Sequence, residues 1–185
     1  MKNILIGMIF LGLLIASPAP AKHGVTPMLK MQTTYHFMLG SDFLPAAPFV
    51  GRPVGTLWAL VWQGTVKGDI EGVIRWWVEF DPDPVNGGFG SLGRWELWDC
   101  EPDYPSPDCD FDNPDQLIMA GHDVFDYVSG NVWAGKGIVA YAREDYAEWS
   151  GSRITDGGYV DYDADGFPEY GEGPFVIYNK PSNKH

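Results

Sequence analysis

Five residues near the C-terminus stand at a spacing that suits a divalent cation. In VDYDADGFPEYGE, Asp161, Asp163, Asp165, Gly166 and Glu172 fill every fixed position of the calcium-loop pattern D-x-D-x-D-G-x₅-E. Calcium takes about six to eight oxygens at roughly 2.3–2.6 Å, and alternate carboxylates around a glycine turn offer many of them from one short loop. Asp161, Asp163 and Asp165 would each give a carboxylate oxygen, Phe167 its backbone carbonyl, and Glu172 two oxygens more. The alternative is a solvated acidic turn, because Asp and Gly also dominate ordinary turns. The expected cofactor is therefore structural calcium, with no organic cofactor.

The flanks of this loop, GGYV and GPFVIY, read as strands, and Pro168 removes a backbone donor in its middle. An EF-hand needs a helix on each side. The stretch instead resembles the D-x-D-x-D-G-x-P loops of extracellular calcium repeats, used singly between strands. Asp108, Asp110, Asp112 and Asn113 echo the first half of such a loop, but Met119 stands where its glutamate would be. Other chemistry has little to work with. No G-x-S-x-G or P-loop is present, and the histidines are His23, His36, His122 and His185. His122 beside Asp123 has the form of half an acid–base pair, yet such pairs are set by space and not by adjacency.

The formal charge of −13 repels nucleic acid and anionic lipid, so neither is an expected partner. Lys2, the apolar run Ile4 to Ile15 and the small-residue site Ala19-Pro20-Ala21 have the form of a secretory signal, with cleavage expected after Ala21. Residues 1–21 are thus read as signal peptide and 22–185 as one domain, secreted or periplasmic, with no membrane insertion after cleavage. In an oxidising compartment the two cysteines, Cys100 and Cys109, are expected to pair. That bridge closes the loop CEPDYPSPDC, and loop closure of this size stabilises by about 2–3 kcal/mol.

The elements that must position these residues are strands. Gly and Pro recur every few residues, and the runs between them are rich in Val, Ile, Thr, Trp, Tyr and Phe. Strands are expected over residues 33–39, 56–67, 70–80, 93–99, 116–121, 124–128, 131–142, 145–149, 157–162 and 174–179. Short antiparallel strands at this spacing make an all-β fold, a single antiparallel barrel of about eight strands with long acidic loops. The hairpin TLWALVWQGTVKGDIEGVIRWWVEF is the clearest piece. Trp58, Leu60, Trp62, Gly64 and Val66 on one arm match Ile70, Gly72, Ile74, Trp76, Val78 and Phe80 on the other. Pairing even with even gives one apolar face, and a one-residue slip buries charge, so the pattern sets an odd-length turn around Gly68.

Three inward tryptophans on one hairpin either fill a bulky core or line a lumen that holds an apolar ring or chain. Trp58, Trp62 and Trp76, completed by Trp133 and Tyr141, are the candidate ligand-binding residues. The runs GTVKGDIEGVIRWW and GNVWAGKGIVAYAREDY resemble the Gly-punctuated strands of allene-oxide-cyclase and dirigent-type barrels, relatives in architecture of the lipocalins. The resemblance covers residues 56–150 and rests on glycine spacing and strand length. It implies an eight-stranded barrel with an apolar lumen, and assigns no catalytic residue. Three functions follow as expectations. The first is binding of a small apolar or aromatic molecule. The second is cofactor-free isomerase or cyclase chemistry in the same lumen. The third is a calcium-stabilised surface module that stacks polysaccharide on exposed tryptophans.

Overall fold

Side chains alternate between apolar and polar along most of the chain after residue 28, and a period of two makes a sheet with one face to bury. A computed structural model describes residues 28–38, 40–45, 55–83, 85 and 88–179; the expected signal over residues 1–21, with His23 and His185, lies outside them. Nine strands are present among the described residues. They are β1 (Met28–Phe37), β2 (Phe43–Pro45), β3 (Leu57–Gly68), β4 (Gly72–Asp81), β5 (Gly88–Trp98), β6 (Leu117–Ser129), β7 (Val132–Ala142), β8 (Arg153–Tyr162) and β9 (Pro168–Tyr178).

Every pairing is antiparallel between neighbours, and β1 bonds both β9 and β3. That last contact closes eight strands into a barrel, so no long sheet edge is left open. The short β2 continues along β3 beyond the end of β1. The expected barrel is the observed fold. Three strand assignments are corrected. The expected strands 116–121 and 124–128 are one long strand, β6, which starts at Leu117, and the expected strand 145–149 lies in the 3-10 segment Glu144–Trp149. The latter carries Trp149 beneath one end of the barrel, where it is buried.

The β3–β4 hairpin shows how the sequence places its side chains. Near the turn the register is even with even: Val66 faces Gly72, Gly64 faces Ile74 and Trp62 faces Trp76. Gly68 takes φ of 144°, a conformation glycine tolerates best, and lies where a Cβ would stand 2.4 Å from the Lys30 carbonyl oxygen. Beyond Trp62 the register changes, because a bulge at Val61 sets Leu60 opposite Trp77. An extra residue turns every following side chain over. Trp58 and Leu60 therefore leave the interior and join Trp77 in a separate cluster outside it.

The two ends of the barrel differ. At the end holding the β3–β4 turn, Met31, Val66, Ile70, Ile74, Leu97, Ile118, Met119, Val139, Ile154, Phe175 and Ile177 pack into a solid core with Trp149. Each of the fully buried aliphatic chains contributes about 1.5–3 kcal/mol relative to exposure. Outside, the cysteine loop lies against β1 and the start of β4. Cys100 and Cys109 are bonded, as expected, and no cysteine is free. The loop has too few apolar residues for a core of its own, yet it delivers one ring, and Phe111 just after it delivers a second. Tyr104 stacks on His36 at 3.8 Å, and Phe111 meets Trp98 edge-on at 5.4 Å. The Arg75 guanidinium sits 4.7 Å from the Trp77 ring and 4.4 Å from Phe111.

Candidate functional site: an aromatic cup above a buried carboxyl pair

The other end of the barrel is open and aromatic. Inward positions of β1, β3, β4, β6 and β7 bring Tyr35, Trp62, Trp76, Phe125 and Trp133 around one small cup, with Val160 and Gly171 completing its wall. Trp76 stacks against Trp133 at 5.0 Å, and Phe125 meets Trp76 edge-on at 4.7 Å. The free space inside is about 20 Å³, enough for a water- or methyl-sized group. Above it the barrel widens into a cavity of about 520 Å³, bounded by Phe37, Val61, Val78, Phe89, Tyr127 and Phe167. Trp62, Phe125 and Tyr127 line both spaces, so the cup is the floor of the larger cavity.

Three of the five expected ligand-binding residues, Trp62, Trp76 and Trp133, meet here. Trp58 does not join them, because of the bulge at Val61. Tyr141 is 43% exposed for the same kind of reason. On β7 the register shifts across Ala140, which turns Tyr141 away from the face that carries Trp133 and Val139. All eight tryptophans are buried, so none offers an open stacking surface of the kind a polysaccharide module would need.

Beneath the cup lies a feature that the sequence did not announce. Asp123 on β6 and Asp156 on β8 both point inward and are buried, at 1% and 9% exposure. Trp76 Nε1–H donates to Asp123 Oδ1 at 3.2 Å. Glycines make the room. A Cβ on Gly93 would stand 2.2 Å from Asp123 Oδ1, and one on Gly135 would stand 2.2 Å from Asp156 Oδ1. Loss of water pushes both carboxyl groups up, Asp123 to about 6 and Asp156 to about 8, and the charge of Asp123 adds to the rise at Asp156. Asp123 Oδ2 and Asp156 Oδ1 have no donor within reach. A proton held on one of the two carboxyls supplies the donor that the pair lacks, so the pair carries a single negative charge near neutrality. Tyr35 is pushed up as well, by burial first and then by the charge of Asp156.

Parity was the available signal. Asp123 shares its face of β6 with Gly121 and Phe125, and Asp156 shares its face of β8 with Ile154 and Val160. An aspartate in phase with apolar neighbours is an aspartate aimed at the core.

The calcium-pattern residues form the β8–β9 hairpin at the open end, and Phe167 and Pro168 reach the wall of the cavity. Asp163 Oδ1 accepts the amides of Asp165 and Phe167, and the Phe167 carbonyl accepts the Asp163 amide at 2.8 Å. Asp161 and Glu172 lie on the paired strands, where Tyr170 donates to Glu172 at 3.4 Å. Among the described residues, no three His, Cys, Asp or Glu side chains gather into a group that could hold a metal.

No family model, curated protein or solved structure matches this chain. The site is therefore read from its own geometry. It can hold an apolar body in the mouth and a small group in the cup, with a proton-holding carboxyl pair just behind the indole floor.

Proposed function

We propose that this protein is a secreted or periplasmic β-barrel that binds a small apolar or aromatic molecule in its open end. The observation that carries the reading is the continuous aromatic cavity of about 520 Å³, within the range of roughly 300–1,000 Å³ usual for small-molecule sites. A barrel built only for stability would fill both ends as it fills one. The paired cysteines support an oxidising compartment, and no helix among the described residues is long and apolar enough to cross a membrane.

The test is titration with the neutral fluorophore N-phenyl-1-naphthylamine, which brightens in apolar sites. The native protein is expected to bind it in a saturable manner. Trp62→Leu and Phe167→Ser are each expected to weaken binding by about tenfold, the ~1.4 kcal/mol of one lost apolar contact surface. A native protein that leaves the fluorophore dark would end the proposal, and so would unchanged affinity in both folded variants.

A second reading, cofactor-free isomerase or cyclase chemistry like that of the allene-oxide-cyclase and dirigent-type barrels, draws support from the proton held between Asp123 and Asp156. Neither carboxyl lines the cavity, however, and Trp76 and Tyr35 stand between the pair and any guest. Binding is the better-supported function. Calcium at the β8–β9 hairpin rests on the spacing of Asp161, Asp163, Asp165 and Glu172, and against it Asp163 already serves its own loop. If calcium binds there, millimolar calcium raises the melting temperature, and Asp163→Ala with Asp165→Ala abolishes the rise. A rise that survives both substitutions assigns the ion elsewhere.

A further inference from the structure

We infer that the cup selects an organic cation, an apolar quaternary ammonium ion, over neutral and anionic molecules of the same shape. The inference rests on the proposed binding function and adds the charge of the guest. Its first ground is the lining. Tyr35, Trp62, Trp76, Phe125, Tyr127 and Trp133 surround the cup, and the face of an aromatic ring carries negative potential that attracts a cation. A quaternary ammonium head has no N–H donors to leave unsatisfied in such a place, and its methyl groups match the small floor.

The second ground is what stands behind the rings. Trp76 Nε1–H donates to Asp123 at 3.2 Å, which places the carboxyl pair directly against the indole that forms the floor. A hydrogen bond of this kind shifts electron density toward the ring face. The charge of the pair is buried, so solvent screens it weakly at the cup.

The third ground is the rim. Asp126 lines the cavity, and Asp81, Asp83, Asp163 and Asp165 stand on the turns at the same end. No Lys, Arg or His lines either space among the described residues. A fatty-acid or phenolate anion would thus enter a negative mouth and find no cation to pair with, whereas an ammonium ion is drawn in by both rim and floor.

Three probes of one shape separate the possibilities, each displacing N-phenyl-1-naphthylamine from the native protein: phenyltrimethylammonium, its neutral isostere tert-butylbenzene, and benzenesulfonate. Phenyltrimethylammonium is expected to displace at least about tenfold more tightly than tert-butylbenzene, with benzenesulfonate weakest. Added salt should narrow the gap, and Asp123→Asn combined with Asp156→Asn, which removes the charge of the pair, should reduce it. Equal displacement by the cation and its neutral isostere overturns the charge selection and leaves the binding function standing. If the naphthylamine itself does not bind, both fall together. The comparison on the native protein decides the matter even where the double variant does not fold.

Discussion

Raising the pH from about 5 to 9 should destabilise this barrel, and Asp156→Asn should remove much of that loss. Both inward carboxyls ionise at higher pH in the fold than in the unfolded chain, Asp123 at about 6 and Asp156 at about 8. Above the usual carboxylate range the folded state therefore holds more protons than the unfolded one. Stability then falls as pH rises, by up to about 1.4 kcal/mol per pH unit for each proton retained, until both groups have ionised. The sign is opposite to that of a salt-bridged surface aspartate, whose contribution is lost on acidification. The amide introduced by the substitution would offer Asp123 a permanent N–H donor where the wild type needs a proton. Urea midpoints measured across this range for both proteins provide the check. Parallel curves would show that the pair does not titrate between folded and unfolded states as described.

A larger and pH-independent loss is expected from Gly121→Val. A Cβ at this position would lie 2.1 Å from the Ile138 carbonyl oxygen and 2.5 Å from Cζ2 of Trp95. The first neighbour is backbone in the adjacent strand, and the second is a ring only 1% exposed, so neither can move aside cheaply. Overpacking of this kind costs about 1–3 kcal/mol and more where backbone is displaced, so we expect about 3 kcal/mol or outright loss of the fold. Gly130 is the contrasting case. It has φ of 52° and open space around it, so Gly130→Ala meets only the left-handed backbone, at about 1–2 kcal/mol. Denaturant midpoints that rank the two variants the other way would contradict this account of the interior.

These two predictions also mark what could be read in the sequence. Period-two patterning and glycine spacing were enough for an antiparallel barrel, and the even-with-even register holds from Val66 to Trp62. The pattern failed at bulges, because one unpaired residue changes parity without changing composition. Val61 carried Trp58 out of the lumen, and Ala140 did the same to Tyr141. Residues 145–149 look like a strand because aromatic residues favour both strands and buried caps, and only the solid end of the barrel shows which was needed. The carboxyl pair was hidden for another reason. Its members lie 33 residues apart on β6 and β8, and closure of the barrel is what brings them together.

The solid lower end has a consequence for traffic. A guest of the proposed kind would find no second exit among the described residues, so arrival and departure would retrace one path past Phe89, Tyr127 and the Phe167 hairpin. A full chamber would turn away newcomers without any change of shape elsewhere.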